Sequence, residues 1–290
     1  MHELLNTKNG KITQFAEDVH ELTPEQYLFY LDLVLQNMAG EITDPQIIKR
    51  KLFAKLCDVK VSWRMNFYNK DTYEAIWSAL ADKINLLDSF FDISEDELFK
   101  ETYQLHVKCT GNLLPEWKKY KGPENLLMDI TWGQFKQCVT ALKLIKYARD
   151  EERMNDVERY TNDIFNALYK LEQRAKNKEQ RQIPDTVQFH ALTYFSYWYE
   201  LISSYPIEIN GEEIDFSVLW KSDDDEPAND MDKSGWMGIT FSIAESGVFG
   251  DAEEVDNEKL YKVLMFLYKN KVNTIFEKKK LKKQSDDQSK

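Results

Sequence analysis

Glycine, histidine and cysteine are scarce in this 290-residue chain, and each shortage argues against a class of site. The ten glycines form no phosphate-binding loop, dinucleotide fingerprint or G-x-S-x-G elbow, which argues against the common nucleotide enzymes and hydrolases. The four histidines include no helical H-E-x-x-H pair that would bind zinc. The three cysteines are odd in number and widely spaced, which is typical of thiols in a reducing compartment.

Long apolar runs are also missing. No stretch approaches the roughly 20 apolar residues of a membrane-spanning helix, and the opening MHELLNTKNGK lacks the order of a signal peptide. Hydrophobic residues nevertheless make up 42% of the chain and aromatic residues 13%, enough for a sizeable core. The sequence therefore predicts a folded cytoplasmic protein without a membrane partner.

The charge is acidic on average and uneven along the chain. A net charge of -12 argues against wholesale nucleic-acid binding, because phosphates require a concentrated cationic surface. Between Lys49 and Arg64, however, six bases accompany one acid, and residues 259–283 are again basic. Residues 223–258 carry twelve acids and a single base, Lys233.

Residue patterns typical of helix starts recur along the chain and predict where its helices begin. Thr23 can cap a helix that has Pro24 at its first position and Gln26 at the capping-box position. Similar starts lie at Asp44-Pro45, Asp71, Thr131 and Pro184-Asp185. The helix from Asp71 is predicted to reach about Leu87, while residues 98–108 fit a strand or a short helix equally well.

The last part of the chain contains the clearest β signal. Asn210-Gly211 between short alternating runs predicts a tight hairpin. Residues 222–233 are too acidic to bury and are expected to form an exposed linker. Two further helices are predicted, over residues 235–250 and over residues 256–276.

These elements predict a mainly α, multi-helix bundle with one short β-hairpin near residues 207–216. Glycine and proline between residues 111 and 123 mark a boundary between two helical subdomains. We expect an N-terminal helical region over residues 1–120 and a C-terminal helical domain over residues 121–276. A disordered basic tail is expected over residues 277–290.

Metal sites are incomplete in the sequence. His106 and Cys109 supply two ligands where tetrahedral zinc needs four. Asp230, Asp232 and Ser234 resemble the opening of a calcium loop, but the twelfth position is Phe241 instead of a bidentate glutamate. The sequence therefore predicts neither a metal nor another cofactor.

Two alternatives to a non-enzymatic binding protein stay open at this point. A small enzyme could use scattered carboxylates with Cys57, whose basic neighbours would lower the pKa of the thiol. A nucleic-acid-binding protein could use the Lys49 to Arg64 segment, where Phe53, Trp63 and Phe67 are interleaved with the cations. An amphipathic helix with a solvated charged face explains the same pattern and is favoured.

A set of short motifs lies in the second half of the chain, over residues 130–271. These are Thr131-Trp132-Gly133-Gln134-Phe135, Asn166-Ala167-Leu168-Tyr169, the aromatic helix from Ala191 to Leu201, Gly235-Trp236, Ile239 to Ala244, Gly247-Val248-Phe249-Gly250-Asp251 and Val255 to Tyr268. In these motifs the chain resembles a family of proteins encoded in the tail modules of phages and prophages of Bacteroidetes. The acidic stretch 222–233 and the helices before Lys121 have no counterpart in the family.

The resemblance implies a non-enzymatic tail assembly protein, similar to a chaperone, that shields the long tape-measure protein in the host cytoplasm. Its client would be that protein, and a homo-oligomer is compatible with the role. Aromatic density exceeds what short helices need for their own packing, which indicates a protein-binding surface. The candidate partner-binding residues are Trp132, Phe135, Phe195, Trp198, Trp236 and Phe249.

Overall fold

A computed structural model of the chain describes residues 1–5, 12–58, 70–95, 101–107, 111–171, 183–209, 211–220 and 235–288. Over these ranges the protein is mainly α with a few short antiparallel strand pairs, which confirms the predicted fold class. The chain divides into two compact units. Unit 1 comprises Met1–Leu114 with Pro184–Thr193, and unit 2 comprises Pro115–Ile183 with Tyr194–Lys290.

Unit 1 combines four helices with two hairpins. Its elements in chain order are β1 (His2–Leu5), β2 (Ile12–Phe15), α1 (Pro24–Met38), α2 (Pro45–Leu56), α3 (Lys70–Ala79), α4 (Ala81–Ile84), β3 (Phe91–Glu95) and β4 (Glu101–Leu105). Strand β1 pairs with β2 and β3 with β4, both antiparallel. Of the stretch 98–108, for which the sequence left strand or helix open, residues 101–105 form β4, and residues 98–100 and 108 lie outside the described residues.

Helix α1 begins as predicted and supplies much of the core of unit 1. Thr23 accepts a hydrogen bond from the Gln26 amide, and the Gln26 side chain accepts one from the Thr23 amide, which completes the capping box. Tyr27 and Tyr30 are buried, and the Tyr30 hydroxyl donates to the carbonyl of His106 at 2.7 Å. Each buried hydroxyl is thereby satisfied within the core.

His190 is a buried polar group in the same unit. Its Nδ1 lies 3.0 Å from the Tyr27 hydroxyl and its Nε2 lies 3.1 Å from Asn112 Oδ1. The amide oxygen can only accept, so Nε2 carries the proton and Nδ1 accepts from the hydroxyl. Burial lowers the pKa of His190 to about 3, which keeps the ring neutral in the folded state.

The predicted helix from Asp71 to Leu87 is divided in the structure. After α3, a turn at Leu80 leads to α4 and then to a 3-10 helix, Asn85–Phe90. Residues three apart share one side of a 3-10 helix, and both Leu87 and Phe90 are fully buried there. The demand for burial of this pair, together with Asn, Asp and Ser residues that compete for backbone hydrogen bonds, overrides the helical periodicity.

Unit 2 carries the remaining elements, of which α7 also contributes its first residues to unit 1. They are β5 (Glu116–Trp117), β6 (Tyr120–Lys121), α5 (Trp132–Asp150), α6 (Met154–Leu168), β7 (Lys170–Leu171), α7 (Asp185–Ser204), β8 (Ile207–Ile209), β9 (Glu212–Ile214), α8 (Gly235–Glu245), α9 (Ala252–Asn257) and α10 (Leu260–Gln288). Strand β6 lies between β5 and β7 in an antiparallel sheet, and β8 pairs with β9 in the predicted hairpin.

The predicted helix over residues 256–276 is interrupted where the chain meets the start of α5. The Trp132 amide donates to the Glu258 carbonyl at 2.8 Å, and the Leu260 amide donates to the Ile130 carbonyl at 3.1 Å. This short bridge requires an extended Glu258, so α9 ends before it and α10 begins after it. A backbone pairing between distant segments thus interrupts the local helix at Glu258 and Lys259.

The end of the chain differs from the sequence-based expectation. Helix α10 continues to Gln288, through most of the stretch 277–290 that was expected to be disordered. The residues there are mainly Lys, Glu, Leu and Gln, which are good helix formers, and glycine and proline are absent. The expected acidic linker, residues 222–233, lies outside the described residues.

Candidate partner-binding surface

The start of α5 shows why the motif Thr131 to Phe135 has this composition. The Thr131 hydroxyl accepts from the Gln134 amide at 3.3 Å, and Gln134 Oε1 accepts from the Thr131 amide at 2.9 Å, forming a capping box. Trp132 and Phe135 are fully buried and stack with ring centroids 5.9 Å apart. A Cβ on Gly133 would lie 3.0 Å from the Asp256 carbonyl oxygen, so the close approach of α9 requires glycine.

A buried lysine connects α5 to two other helices. Lys136 Nζ lies 2.6 Å from Asp256 Oδ1 on α9 and 2.7 Å from Thr240 Oγ1 on α8. The Trp132 indole also donates to Thr240 Oγ1, at 3.1 Å, and the Thr240 hydroxyl donates to the Trp236 carbonyl at 3.0 Å. Thr240 therefore uses its donor and both acceptor positions, and α8 is held against α5 through polar contacts.

Four of the six candidate partner-binding residues build the core of unit 2. Trp132, Phe135 and Phe195 have no exposed surface, and Trp198 retains 7%. Phe135 packs edge-on against Phe195 with centroids 5.8 Å apart. In this conformation these rings contact their neighbours on all sides, so a partner cannot reach them.

The other two candidates are half-buried, Trp236 in the first turn of α8 and Phe249 shortly after its end. The Trp236 ring lies edge-on to Trp132, with centroids 5.4 Å apart, and its outer part lines the surface. Its indole Nε1 is buried and has no hydrogen-bond partner among the described residues. Phe249 follows α8 and packs edge-on against Phe266 of α10 at 5.5 Å. These two residues lie at the boundary between core and surface.

Helix α8 is almost entirely apolar, and yet it lies at the surface. Glu245 is the one charged residue among its eleven, and only Thr240 and Ile243 are buried. Met237 and Phe241 expose 58% and 51% of their surface, and Val248 in the following turn exposes 58%. An exposed cluster of large apolar side chains is unusual on a folded domain.

Two grooves flank this helix. One, of about 810 Å³, lies between α8 and α10 and is lined by Ile239, Ser242, Ser246, Phe266 and Leu267 among others. The second, of about 650 Å³, lies between α8, α5 and α6 and is lined by Gln137, Leu144, Tyr160, Asn166 and Met237 among others. Trp236 borders both grooves. We call α8, its exposed side chains and the two grooves the α8 surface.

The α8 surface carries little charge near its apolar centre. Lys143 and Glu245 border the first groove, and Asp163 and Asp256 border the second. Asp256 is paired with Lys136, which leaves the floor of the second groove locally neutral. Such a surface suits contact with apolar side chains, with its charges at the rim.

Cys57 does not have the properties of a nucleophile in this structure. The side chain is half-buried on α2, and burial raises its pKa to about 11. The thiol is therefore protonated near neutral pH, against the activation considered from its basic neighbours. Across the described ranges, no group of three or more His, Cys, Asp and Glu side chains is arranged to hold a metal ion. Cys109 and the calcium-like stretch at Asp230 lie outside those ranges.

The basic segment from Lys49 contributes to the structure of unit 1. Lys49 is buried, paired with Asp88, and its ammonium lies 4.8 Å from the centre of the Tyr103 ring. Arg50 pairs with Glu74, and Lys55 pairs with Glu25. Phe53 is also buried. Lys60, Trp63, Arg64 and Phe67 lie outside the described residues. Three of the four described cations thus have acidic partners within unit 1, and the fourth, Lys51, is exposed.

Comparison of the chain with family models, with curated proteins and with solved structures finds no match. The site is therefore defined by its own geometry. Of the helices in the described parts of the chain, none has the length and apolar character to cross a membrane.

Sequence reasoning missed the most exposed residues of the surface. Met237 and Phe241 are not in an aromatic cluster, and Lys136 reads as a solvated lysine on an amphipathic helix. One feature of the sequence could have identified this helix as a candidate surface. The segment Gly235–Glu245 has a single charged residue although it follows a strongly acidic stretch. A helix that is apolar on every side is either buried or covered by a partner.

Proposed function

We propose that this protein is a non-enzymatic, chaperone-like phage tail assembly protein that binds an apolar helical segment of the tape-measure protein on the α8 surface. The observation that carries the proposal is the exposure of α8, an eleven-residue helix with one charge and two buried side chains. Its partner is a protein because the surface offers apolar contacts and few fixed charges.

The resemblance of residues 130–271 to tail-module proteins supplies the identity of the client. A tape-measure protein is a long helical protein whose apolar faces are exposed until the tail tube surrounds it. Until then it needs a temporary partner that covers these faces. Helix α8 is about 16 Å long, at 1.5 Å per residue, which matches about three turns of a client helix. The two grooves beside it provide room for the client side chains.

Co-expression with the tape-measure protein of the same tail module, followed by pull-down, tests the proposal. We expect the wild-type chain to retain the client, and Phe241→Asp to weaken retention at least about tenfold because a charge replaces a central apolar contact. The matched control is Met154→Asp, an equally exposed apolar residue at the start of α6, away from the α8 surface. This variant should bind like wild type.

The opposite results would contradict the proposal. Failure of the two proteins to associate under any salt condition would remove the chaperone role, and equal losses in both variants would remove the α8 surface as the site. Gene position gives an independent check. A very long helical reading frame beside tail-tube genes is expected, whereas a metabolic operon would contradict the assembly role.

A further inference from the structure

Helix α10 is far longer than the part of it that packs into unit 2. Its 29 residues extend about 43 Å. Leu260, Val263 and Leu264 in the first turns are fully or almost fully buried, and the Tyr268 ring contacts Phe216 with centroids 5.9 Å apart. After Tyr268, large apolar side chains of α10 become exposed.

The second half of α10 carries an apolar stripe that ends in a cation. Val272, Ile275 and Phe276 are spaced by three and four residues, so they share one face. Val272 exposes 40% and Phe276 69% of its surface. Lys279 follows Val272 by seven residues and Ile275 by four, which places it on the same face. We call these four residues the α10 stripe.

Lysines surround the stripe. Residues 269–283 contain seven lysines and one acid, Glu277. Lys269 and Lys280 are exposed, as is Lys279 within the stripe. Among the described residues, none of these three lysines is in an ion pair. The stripe is therefore an apolar seam with cationic borders.

We infer that the α10 stripe docks an acidic amphipathic helix of a partner protein, in a short two-helix contact. The apolar positions would pack against the apolar face of that helix, and its glutamates or aspartates would face Lys269, Lys279 and Lys280. The inference concerns a second surface and does not depend on the α8 surface or on its client.

Charge decides between this partner and three others. A second copy of the chain would bring lysines against lysines, which costs energy at each flanking position. A membrane surface would require Lys279, on the apolar face, to point toward the hydrocarbon. Single-stranded nucleic acid is bound by repeated aromatic platforms, and the stripe offers one ring, that of Phe276. An acidic helix satisfies both the apolar and the cationic positions.

Fluorescence anisotropy with a labelled synthetic peptide and the full-length protein tests the inference. The probe is a 21-residue helical peptide with leucine at its core positions and glutamate at the flanking positions. Two matched peptides replace either the leucines by alanine or the glutamates by lysine. We expect the acidic leucine peptide to bind at least about tenfold more tightly than either of the others.

Three variants locate the contact. Phe276→Ala and Lys279→Glu/Lys280→Glu should each weaken binding of the acidic peptide about tenfold. The charge-reversed variant should gain affinity for the lysine peptide, a rescue that a loss of folding could not produce. Met154→Asp, at an exposed apolar position on α6, is the control for an added surface charge and should leave the affinity unchanged.

Other outcomes would overturn the inference. One is equal binding of all three peptides, and another is the absence of rescue by charge reversal. A third is tighter binding to a different probe than to the acidic peptide, either vesicles of three parts phosphatidylcholine and one part phosphatidylglycerol or oligo-dT. Formation of a dimer through the stripe, detected by loss of the dimer in Phe276→Ala, would assign it to self-association instead.

Discussion

Helices α5 and α8 both carry a tryptophan, a glycine and a phenylalanine, and the structure uses the two phenylalanines in opposite ways. In α5 the rings of Trp132 and Phe135 are fully buried, and in α8 the ring of Phe241 is half-exposed. The motif Thr131 to Phe135 therefore specifies packing. The less conspicuous helix presents the surface, so aromatic density alone identifies burial and not binding.

The comparison predicts its largest effect at Trp132. Trp132→Ala should lower the free energy of unfolding by about 3 to 5 kcal/mol, because it removes a fully buried ring and its hydrogen bond to Thr240. Urea denaturation followed by circular dichroism measures the change. Tyr147→Ala, an exposed aromatic on the same helix, is the control and should stay within about 0.5 kcal/mol. A similar midpoint for Trp132→Ala and wild type would contradict the core role.

The buried histidine of unit 1, His190, predicts how the stability of the protein depends on pH. The pKa of His190 is lowered to about 3, whereas the ordinary value is 6.5. As pH falls below about 6.5 the unfolded chain binds a proton that the folded chain excludes, so stability decreases toward pH 3 and is unaffected above pH 6.5. The contribution is at most about 3 kcal/mol at pH 4, at about 1.4 kcal/mol per pH unit.

Denaturation midpoints of wild type and His190→Gln between pH 7 and pH 4 measure this effect. The variant should be less stable than wild type at pH 7, because Tyr27 and Asn112 lose well-placed partners, but should lose less stability on acidification. His20→Gln, at an exposed position, should follow wild type. Parallel pH profiles for His190→Gln and wild type would show that the pKa of His190 is the same in the folded and unfolded states, which would contradict its lowering by burial.

Gly133 tests the close approach between α5 and α9. Alanine normally stabilises a helix interior by about 1 kcal/mol relative to glycine. At this position the added Cβ would lie 3.0 Å from a backbone oxygen of Asp256, so we expect Gly133→Ala to destabilise by about 1 to 2 kcal/mol instead. Gly111→Ala, where nothing lies within 4 Å, is the control for thermal denaturation. A raised midpoint for Gly133→Ala would mean that α9 can move away.

Local signals predicted the elements that depend on local chemistry. The helix starts capped by Thr23 and Thr131 and the hairpin of β8 and β9 all lie where the sequence predicts them. The break between α9 and α10 could not be predicted, because it results from hydrogen bonds between Glu258 and Trp132, 126 positions apart. Periodicity within a window carries no information about such a pairing.

For the candidate site, too, local sequence signals predicted one part and the packing between helices decided the other. The sequence identified residues that are large and aromatic, and packing placed four of the six in the core. Whether an apolar residue is buried or exposed depends on which helices meet, and a single helix does not specify this. Met237 and Phe241 became candidates only when the structure showed that α8 buries two of its residues.

The smallest expected effect on stability is also the one that separates the two helices most sharply. Phe241→Ser should change the free energy of unfolding by no more than about 0.5 kcal/mol, because half of the ring is already in contact with water. The same urea denaturation that measures Trp132→Ala checks it. A loss above about 1.5 kcal/mol would mean that Phe241 is a core residue, and the contrast between α5 and α8 would then fail. If the effect is small, retention of an apolar ring at this exposed position has no explanation in folding. The proposed client contact would supply such an explanation for an apolar surface that promotes aggregation, and the client pull-down with Phe241→Asp tests it independently.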